Sequence, residues 1–314
     1  MTKSYFLGID GGATKTHCVV CDQSLKVLGS GLAEGSNHHI IGLTDAAANI
    51  MSAVTDALQE AGLALSDIMA AGFGMAGVDA PLDRELLEGA LRAYDLPQCL
   101  VLTNDGMAAL SGATGGEPGV VAIAGTGAIA VGMNEVGETA RAGGWGYILG
   151  DEGSAYDIGR RGMVAALWAY DGRGPQTVLL DRLMEAFHLQ TIRDLIELVY
   201  EQALPHYEIA AFAQVVAKMG LEGDAVAQRI LREAGEVLAV SALAVMERLR
   251  MKGKRVKVAT TGSVLLNDRL VREAFVAAMR AQAPSAEIIT PRYDAAVGAA
   301  LLALRSWQKK CDKS

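Results

Sequence analysis

Apolar residues in this chain gather in short runs that end at glycine, and the order of those runs sets out the elements. Residues 5–9 and 17–21 are two apolar runs, and the Asp10-Gly11-Gly12-Ala13-Thr14-Lys15-Thr16 segment between them predicts a tight β-hairpin. Residues 44–61 carry apolar side chains at helical spacing, and 67–77 reads as a strand running into a small-residue loop. A helix over 82–94, a strand over 99–103 and a helix over 105–112 capped by Asn104 or Asp105 follow. The pattern then starts again: 120–132 is an apolar strand, a Gly125-Thr126-Gly127 turn and a second apolar strand, closed by a polar turn at Asn134-Glu135. Beyond it a long helical region over about 153–245 is expected, then a strand over 255–259 ending in Thr260-Thr261-Gly262-Ser263. A helix over 267–279, a strand over 287–290 and a terminal helix over 294–307 complete the chain.

The two hairpin turns carry the candidate chemistry. Glycine in such a turn tolerates positive φ, and its missing side chain lets backbone N–H groups reach phosphate oxygens. Thr14 and Thr16 add hydroxyls, Lys15 adds a positive charge, and Asp10 suits a hydrated Mg²⁺ that bridges phosphates. The same residues also fit a plain β-hairpin without a ligand. Two such hairpins imply two related halves able to clamp one nucleotide. The Gly262-Ser263 turn either packs bare backbone against an adenine ring or is an ordinary strand-to-helix turn.

With 314 residues the chain is long enough for two domains, and the turn at 115–119 is the best linker. The expected domains are 1–117, with 294–314 packing back onto it, and 118–293. Glycine makes up 36 residues, about 11% against a usual ~7%, and much of the excess lies in these turns. A net charge of −8 argues against nucleic acid or an anionic membrane as partner, since both call for a basic face. Asp10 interrupts any signal-peptide core, so a cytoplasmic location is expected. The four cysteines are no disulfide framework for a chain of this size. Cys18 and Cys21, three apart in a strand, should point to opposite faces rather than share a metal. His188 and His206 stand in no catalytic constellation and read as surface or packing residues.

Six stretches together resemble the sugar-kinase/Hsp70/actin superfamily, and within it the N-acetylglucosamine kinases and the related BadF/BadG/BcrA/BcrD ATPase group. They are residues 8–16, Ser36-Asn37-His38, Thr103-Asn104-Asp105-Gly106, Ala124-Gly125-Thr126-Gly127, the pair of loops at 143–146 and 150–156, and Thr261-Gly262-Ser263. Two positions depart from the pattern: Ala13, where many relatives have a third glycine, and His39, where eukaryotic N-acetylglucosamine kinases carry tryptophan. The resemblance implies an α/β, two-domain actin-like ATPase fold of the ribonuclease H-like type, with ATP and sugar bound in the interdomain cleft.

It also implies roles. ATP and Mg²⁺ would be held by Asp10, Gly11, Gly12, Thr14, Lys15, Thr16, Gly125, Thr126, Gly127, Gly262 and Ser263, with Asp10 meeting the metal through water. The sugar would be held by Asn37, Asp105, Gly144, Trp145, Gly146, Asp151 and Ala155. Trp145 offers an apolar face to a sugar ring or an acetyl methyl, or packs beside a hinge. Asp105 follows an apolar strand and opens a helix, which suits both a helix cap and a base that accepts the alcohol's proton during phosphoryl transfer. The expected activity is ATP-dependent phosphorylation of an amino sugar at its 6-hydroxyl, with N-acetylglucosamine first and glucosamine or N-acetylmuramic acid as alternatives. A homodimer is also expected. A BadF-type ATPase activator would need cysteine ligands for an iron–sulfur cluster, and Cys18 and Cys21 are a poor source. A sugar-sensing regulator would need a helix-turn-helix ahead of the first hairpin, where only seven residues precede Gly8.

Overall fold

The computed structural model describes residues 4–78 and 80–312. The chain divides into two compact units, Met1–Gly119 with Thr290–Ser314, and Val120–Ile289.

The first unit is built on a five-stranded sheet of order β3-β2-β1-β4-β5, with β1 at Tyr5–Gly11, β2 at Lys15–Asp22, β3 at Val27–Glu34, β4 at Ile68–Met75 and β5 at Leu100–Asn104. β1, β2 and β3 run antiparallel in sequence order, whereas β4 lies parallel to both β1 and β5. Parallel pairing brings the C-terminal ends of β1, β4 and β5 to one edge, the usual ligand edge of an open α/β sheet. Helix Leu43–Ala61 covers one face, where Ile50, Val54, Leu7, Ile9 and Phe73 form the core. The C-terminal helix, Ala295–Cys311, covers the other. Its close approach depends on glycine: a Cβ at Gly8 of β1 would collide with the Ala296 carbonyl, and one at Gly72 of β4 with the Ala299 carbonyl. Cys18 lies in the first of these cores and Cys21 against the C-terminal helix, so the two thiols do face opposite ways.

The second unit repeats the plan. Its sheet has the order β10-β9-β6-β7-β8, with β6 at Gly119–Ala124, β7 at Ala128–Met133, β8 at Thr139–Gly143, β9 at Lys257–Thr261 and β10 at Glu287–Ile289. Counted from the first strand of each sheet, the two orders are identical, so the second glycine hairpin occupies the same place in its sheet as the first. Long helices at Ala155–Tyr170, His206–Leu221, Ala225–Arg248 and Arg269–Gln282 enclose a core that includes Phe212, Leu231 and Phe275.

The elements differ from the expectation in two ways. The long helical region over about 153–245 is broken at Gly172 and Gly174-Pro175, again around Pro205, and at Gly223. Glycine and proline end helices through backbone freedom and a missing donor, and here they outweigh the apolar periodicity around them. The strands β3 and β8 carry too little apolar pattern to be predicted. In β3 the inward positions include Gly29 and Gly31, which lie so close to the Ala57 and Ala53 carbonyls of helix Leu43–Ala61 that no side chain fits.

Candidate functional site

In the first unit, the hairpin turn is tied down on three sides. The Gly12 N–H donates to the Lys15 carbonyl at 2.9 Å, Ser36 N–H to the Gly12 carbonyl at 2.9 Å, and Ala76 N–H to the Gly11 carbonyl at 2.8 Å. Neither Gly11 nor Gly12 adopts positive φ, so the conformational reason for glycine does not apply here. Gly11 is glycine because the Met75 side chain and the Ser36 hydroxyl press against it. Gly12 is open: a Cβ there would meet only the Lys15 carbonyl, at 3.4 Å. Ala13, Thr14 and Lys15 are exposed at the tip. Thr16 corrects the reading of it as a hydroxyl donor to phosphate. It is fully buried, and its hydroxyl bonds to the Glu34 carbonyl at 2.7 Å and the Ser36 hydroxyl at 2.8 Å. Strand alternation explains this: with Lys15 directed outward, the next side chain must face in.

Three carboxylates converge on this turn. Asp10, the penultimate residue of β1, has its carboxyl pushed up to about 6, first by burial and then by the charges of Asp105 and Asp294, with Lys15 acting against them. Asp105 opens helix Asp105–Thr114 directly after β5 and is exposed. The cap of that helix is Asn104, whose side chain accepts from the Met107 N–H at 2.9 Å, while Asp105 accepts from the Gly106 N–H at 2.9 Å. Asp294 caps the C-terminal helix by accepting from the Val297 N–H at 2.8 Å, and it lies 3.9 Å from the His17 imidazole. It is anchored beside helix Asp105–Thr114 through Tyr293, whose N–H donates to the Gly112 carbonyl at 3.0 Å. The sequence marks Asp294 as a helix start and nothing more; that the last helix returns to β1 is a property of the fold. Asn37 stands next to the loop that follows β4: its side chain accepts from the His39 N–H at 3.1 Å, and a Cβ at Gly77 would come within 2.9 Å of its Oδ1.

In the second unit, the Gly-Thr-Gly turn is fastened to a helix start. Ala155 N–H donates to the Gly125 carbonyl at 2.8 Å, and Tyr156 N–H to the Thr126 carbonyl at 3.3 Å. Asp151 is buried with φ of 61°, a conformation that non-glycine residues seldom adopt, and accepts from the Ala128 N–H at 3.1 Å. Burial raises its pKa, with the hydrogen bond from Ala128 opposing. A Cβ at Gly127 would come within 2.9 Å of the Asp151 carboxylate. Gly144 packs over Ile129 of β7, Gly146 is open, and Trp145 between them is 66% exposed with the Arg141 guanidinium 4.7 Å from its ring. Gly262, at φ of 87°, touches the Ala124 backbone at the end of β6, and Ser263 starts the short helix Ser263–Asn267. Within this unit the fold therefore gathers residues 125–127, 144, 151, 155 and 262 around one hairpin. At Gly125 a Cβ would meet nothing within 4 Å, so that backbone faces open space.

The residues of the first unit fit a divalent cation. Burial and then the charges of Asp105 and Asp294 raise the Asp10 carboxyl, and a cation there would relieve the repulsion among the three. The open faces at Gly12 and Gly125, which a Cβ would fill, suit the close approach of a phosphate chain.

The family model described as the BadF/BadG/BcrA/BcrD ATPase family matches residues 7–303. The chain is similar to the N-acetylmuramic acid/N-acetylglucosamine kinase of Clostridium acetobutylicum, at 34% identity over 308 residues that span 98% of this chain and 99% of the relative. It is also similar to the N-acetyl-D-glucosamine kinase of Dictyostelium discoideum, at 31% identity over 98% of this chain and 99% of the relative. Among solved structures, a candidate N-acetylglucosamine kinase from Chromobacterium violaceum superposes with a TM-score of 0.77 at 27% identity, covering 97% of this chain and 100% of that one. Among the described residues, no helix is long and apolar enough to cross a membrane.

Proposed function

We propose that this chain, which belongs to the BadF/BadG/BcrA/BcrD ATPase family, is an ATP-dependent amino-sugar kinase that phosphorylates the 6-hydroxyl of N-acetylglucosamine. The observation that carries the proposal is the group of carboxylates at the ligand edge of the first sheet. Asp105 lies near enough to Asp10 for its charge to raise that residue's pKa, a proximity that supports Asp105 as the proton acceptor and Asp10 as the carboxylate for the cation. The names of the two curated relatives support the amino-sugar substrate.

In this reading Asp105 accepts the proton of the 6-hydroxyl as that oxygen attacks the γ-phosphoryl group of ATP, and ADP leaves. Asp10 would hold the Mg²⁺, which would supply neutralisation of phosphate charge. Gly12, Thr14 and Lys15 serve the phosphates from one hairpin and Gly125, Thr126 and Gly127 from the other. Gly262 and Ser263 serve the adenosine. Thr16 keeps the first hairpin in register with Glu34 and Ser36, and it acts on phosphate only through that backbone. Asn37, Gly144, Trp145, Gly146, Asp151 and Ala155 serve the sugar, and the exposed Trp145 ring, with Arg141 over one face, offers its other face for stacking.

A second sugar is favoured by one specific finding: the relative at 34% identity is named for N-acetylmuramic acid as well as N-acetylglucosamine. The activator reading finds no support in the cysteines. Cys18 and Cys21 are buried on opposite sides of β2, and burial raises both thiols, that of Cys21 to about 12. A test is the release of ADP from ATP and Mg²⁺ across N-acetylglucosamine, N-acetylmuramic acid, glucosamine and glucose. The highest kcat/KM is expected for N-acetylglucosamine, and a higher value for glucosamine or glucose would overturn the sugar assignment.

A further inference from the structure

Among the described residues, one cluster of metal-type side chains stands in the first unit outside the carboxylates already described. Asn37 caps the four-residue helix His38–Ile41, so two consecutive imidazoles emerge from its first turn. Their rings lie 4.1 Å apart at an angle of 36°. Both turn toward Asp83, in the first turn of helix Pro81–Leu91: His38 Nε2 is 3.5 Å and His39 Nε2 3.4 Å from the same Asp83 oxygen, Oδ1. The other Asp83 oxygen faces the Ala80 N–H at 3.4 Å. The Gly77 carbonyl, on the segment after β4, is 3.1 Å from His39 Nε2.

His38 is the telling member. It is 92% buried, neither ring nitrogen makes a hydrogen bond, and Nε2, the nitrogen turned toward the cluster, reaches Asp83 Oδ1 only at the 3.5 Å of an ion pair. Native proteins seldom leave buried polar atoms in that state, because each costs on the order of 1–3 kcal/mol, and an exception calls for a missing ion or water. The spacing favours an ion. Ligands held 2.0–2.1 Å from a tetrahedral Zn²⁺ sit about 3.3–3.4 Å from one another, close to the two separations measured here. The candidate ligand atoms of all three side chains lie within 4.8 Å of each other.

We propose that His38, His39 and Asp83 form a binding site for a zinc-class divalent ion, separate from the nucleotide-linked Mg²⁺. Two imidazoles and one carboxylate suit Zn²⁺ and disfavour Mg²⁺, which prefers oxygen. The imidazole nitrogen that binds the ion must be unprotonated, so on metal binding His39 carries its proton on Nδ1 and releases Gly77 as a hydrogen-bond acceptor. The Gly77 carbonyl or a water then completes the coordination. The ion joins three segments that the backbone leaves separate: the turn after Asn37, the segment after β4 and helix Pro81–Leu91. It thereby fixes the loop that carries Asn37.

The test uses the full chain, stripped with a chelator, in a Cys311→Ser background that removes the one exposed thiol. Zn²⁺ affinity is measured by competition with a chromophoric chelator, and Co²⁺ is added separately to read its d–d absorption. Zn²⁺ should bind in a one-to-one ratio and raise Tm, and Co²⁺ should give the intense spectrum of four-coordinate geometry. His39→Gln alters an exposed side chain and leaves the core intact, yet it should weaken Zn²⁺ binding at least about 10-fold and abolish the Tm response. Asp83→Asn should do the same. Equal Zn²⁺ affinity in His39→Gln and the parent, or no stoichiometric binding by the parent, would overturn the site.

Discussion

The two glycine hairpins share a sequence pattern and a place in their sheets, yet their surroundings are opposite in character. The first, in β1 and β2, is faced by Asp10, Asp105 and Asp294 and carries Lys15 at its tip. The second, in β6 and β7, meets one carboxylate, Asp151, which is buried and bonded to the Ala128 N–H; otherwise it is bound by backbone to the start of helix Ala155–Tyr170. A repeated strand order thus supplies two similar turns, and what packs against each turn decides its chemistry. Charge surrounds the first, and backbone hydrogen bonds fasten the second.

The largest effect that would break this contrast is catalytic. Asp105→Asn should lower kcat by about 10²–10⁴-fold with sugar and nucleotide affinity nearly unchanged, whereas Asp151→Asn should act mainly on the sugar KM. Equal losses of kcat in steady-state assays of the two variants would erase the distinction. Next comes a structural test within the second unit. Gly262→Ala places a methyl at positive φ against the Ala124 backbone and should cost about 2–3 kcal/mol in thermal or urea unfolding. A smaller effect concerns Asp10. Its carboxyl titrates near 6 in the folded state against 3.8 in the reference, so the folded chain holds that proton more tightly than the unfolded chain does. Stability therefore falls as pH rises from about 4 through about 6, and the penalty persists above that range. Asp10→Asn removes it, so the ligand-free variant should be more stable than the parent by about 1–2 kcal/mol at pH 8 and equal to it near pH 4, while losing activity. Denaturation at the two pH values checks the sign. The mildest change is Gly125→Ala, which meets no neighbour: stability should stay within about 0.5 kcal/mol, and the nucleotide Kd should rise by up to about tenfold in calorimetric titration.

The elements that surround these turns were legible in the sequence where side chains pattern the core. β1, β2, β6 and β7 are dense in apolar residues, and Gly262 sits at the strand-to-helix turn where its position in the chain implied it would. Thr16 was not legible as a buried residue, because strand register alone decides whether a hydroxyl faces phosphate or the core. Asp294 was visible only as a helix cap, since its approach to Asp10 depends on Gly8 and Gly72 admitting the last helix close to the sheet. β3 is silent in the sequence for the same reason: where glycine makes the contact, there is no hydrophobic alternation.

Transfer of a phosphoryl group to an amino sugar is read most directly by phosphorus–proton correlation NMR of the product formed from ATP, Mg²⁺ and N-acetylglucosamine. The expected result is one sugar phosphate, coupled to the two protons on C6, that forms in step with ADP and is lost in Asp105→Asn. Release of ADP with free phosphate and no phosphorylated sugar, or a phosphate coupled to a different carbon's proton, would contradict it.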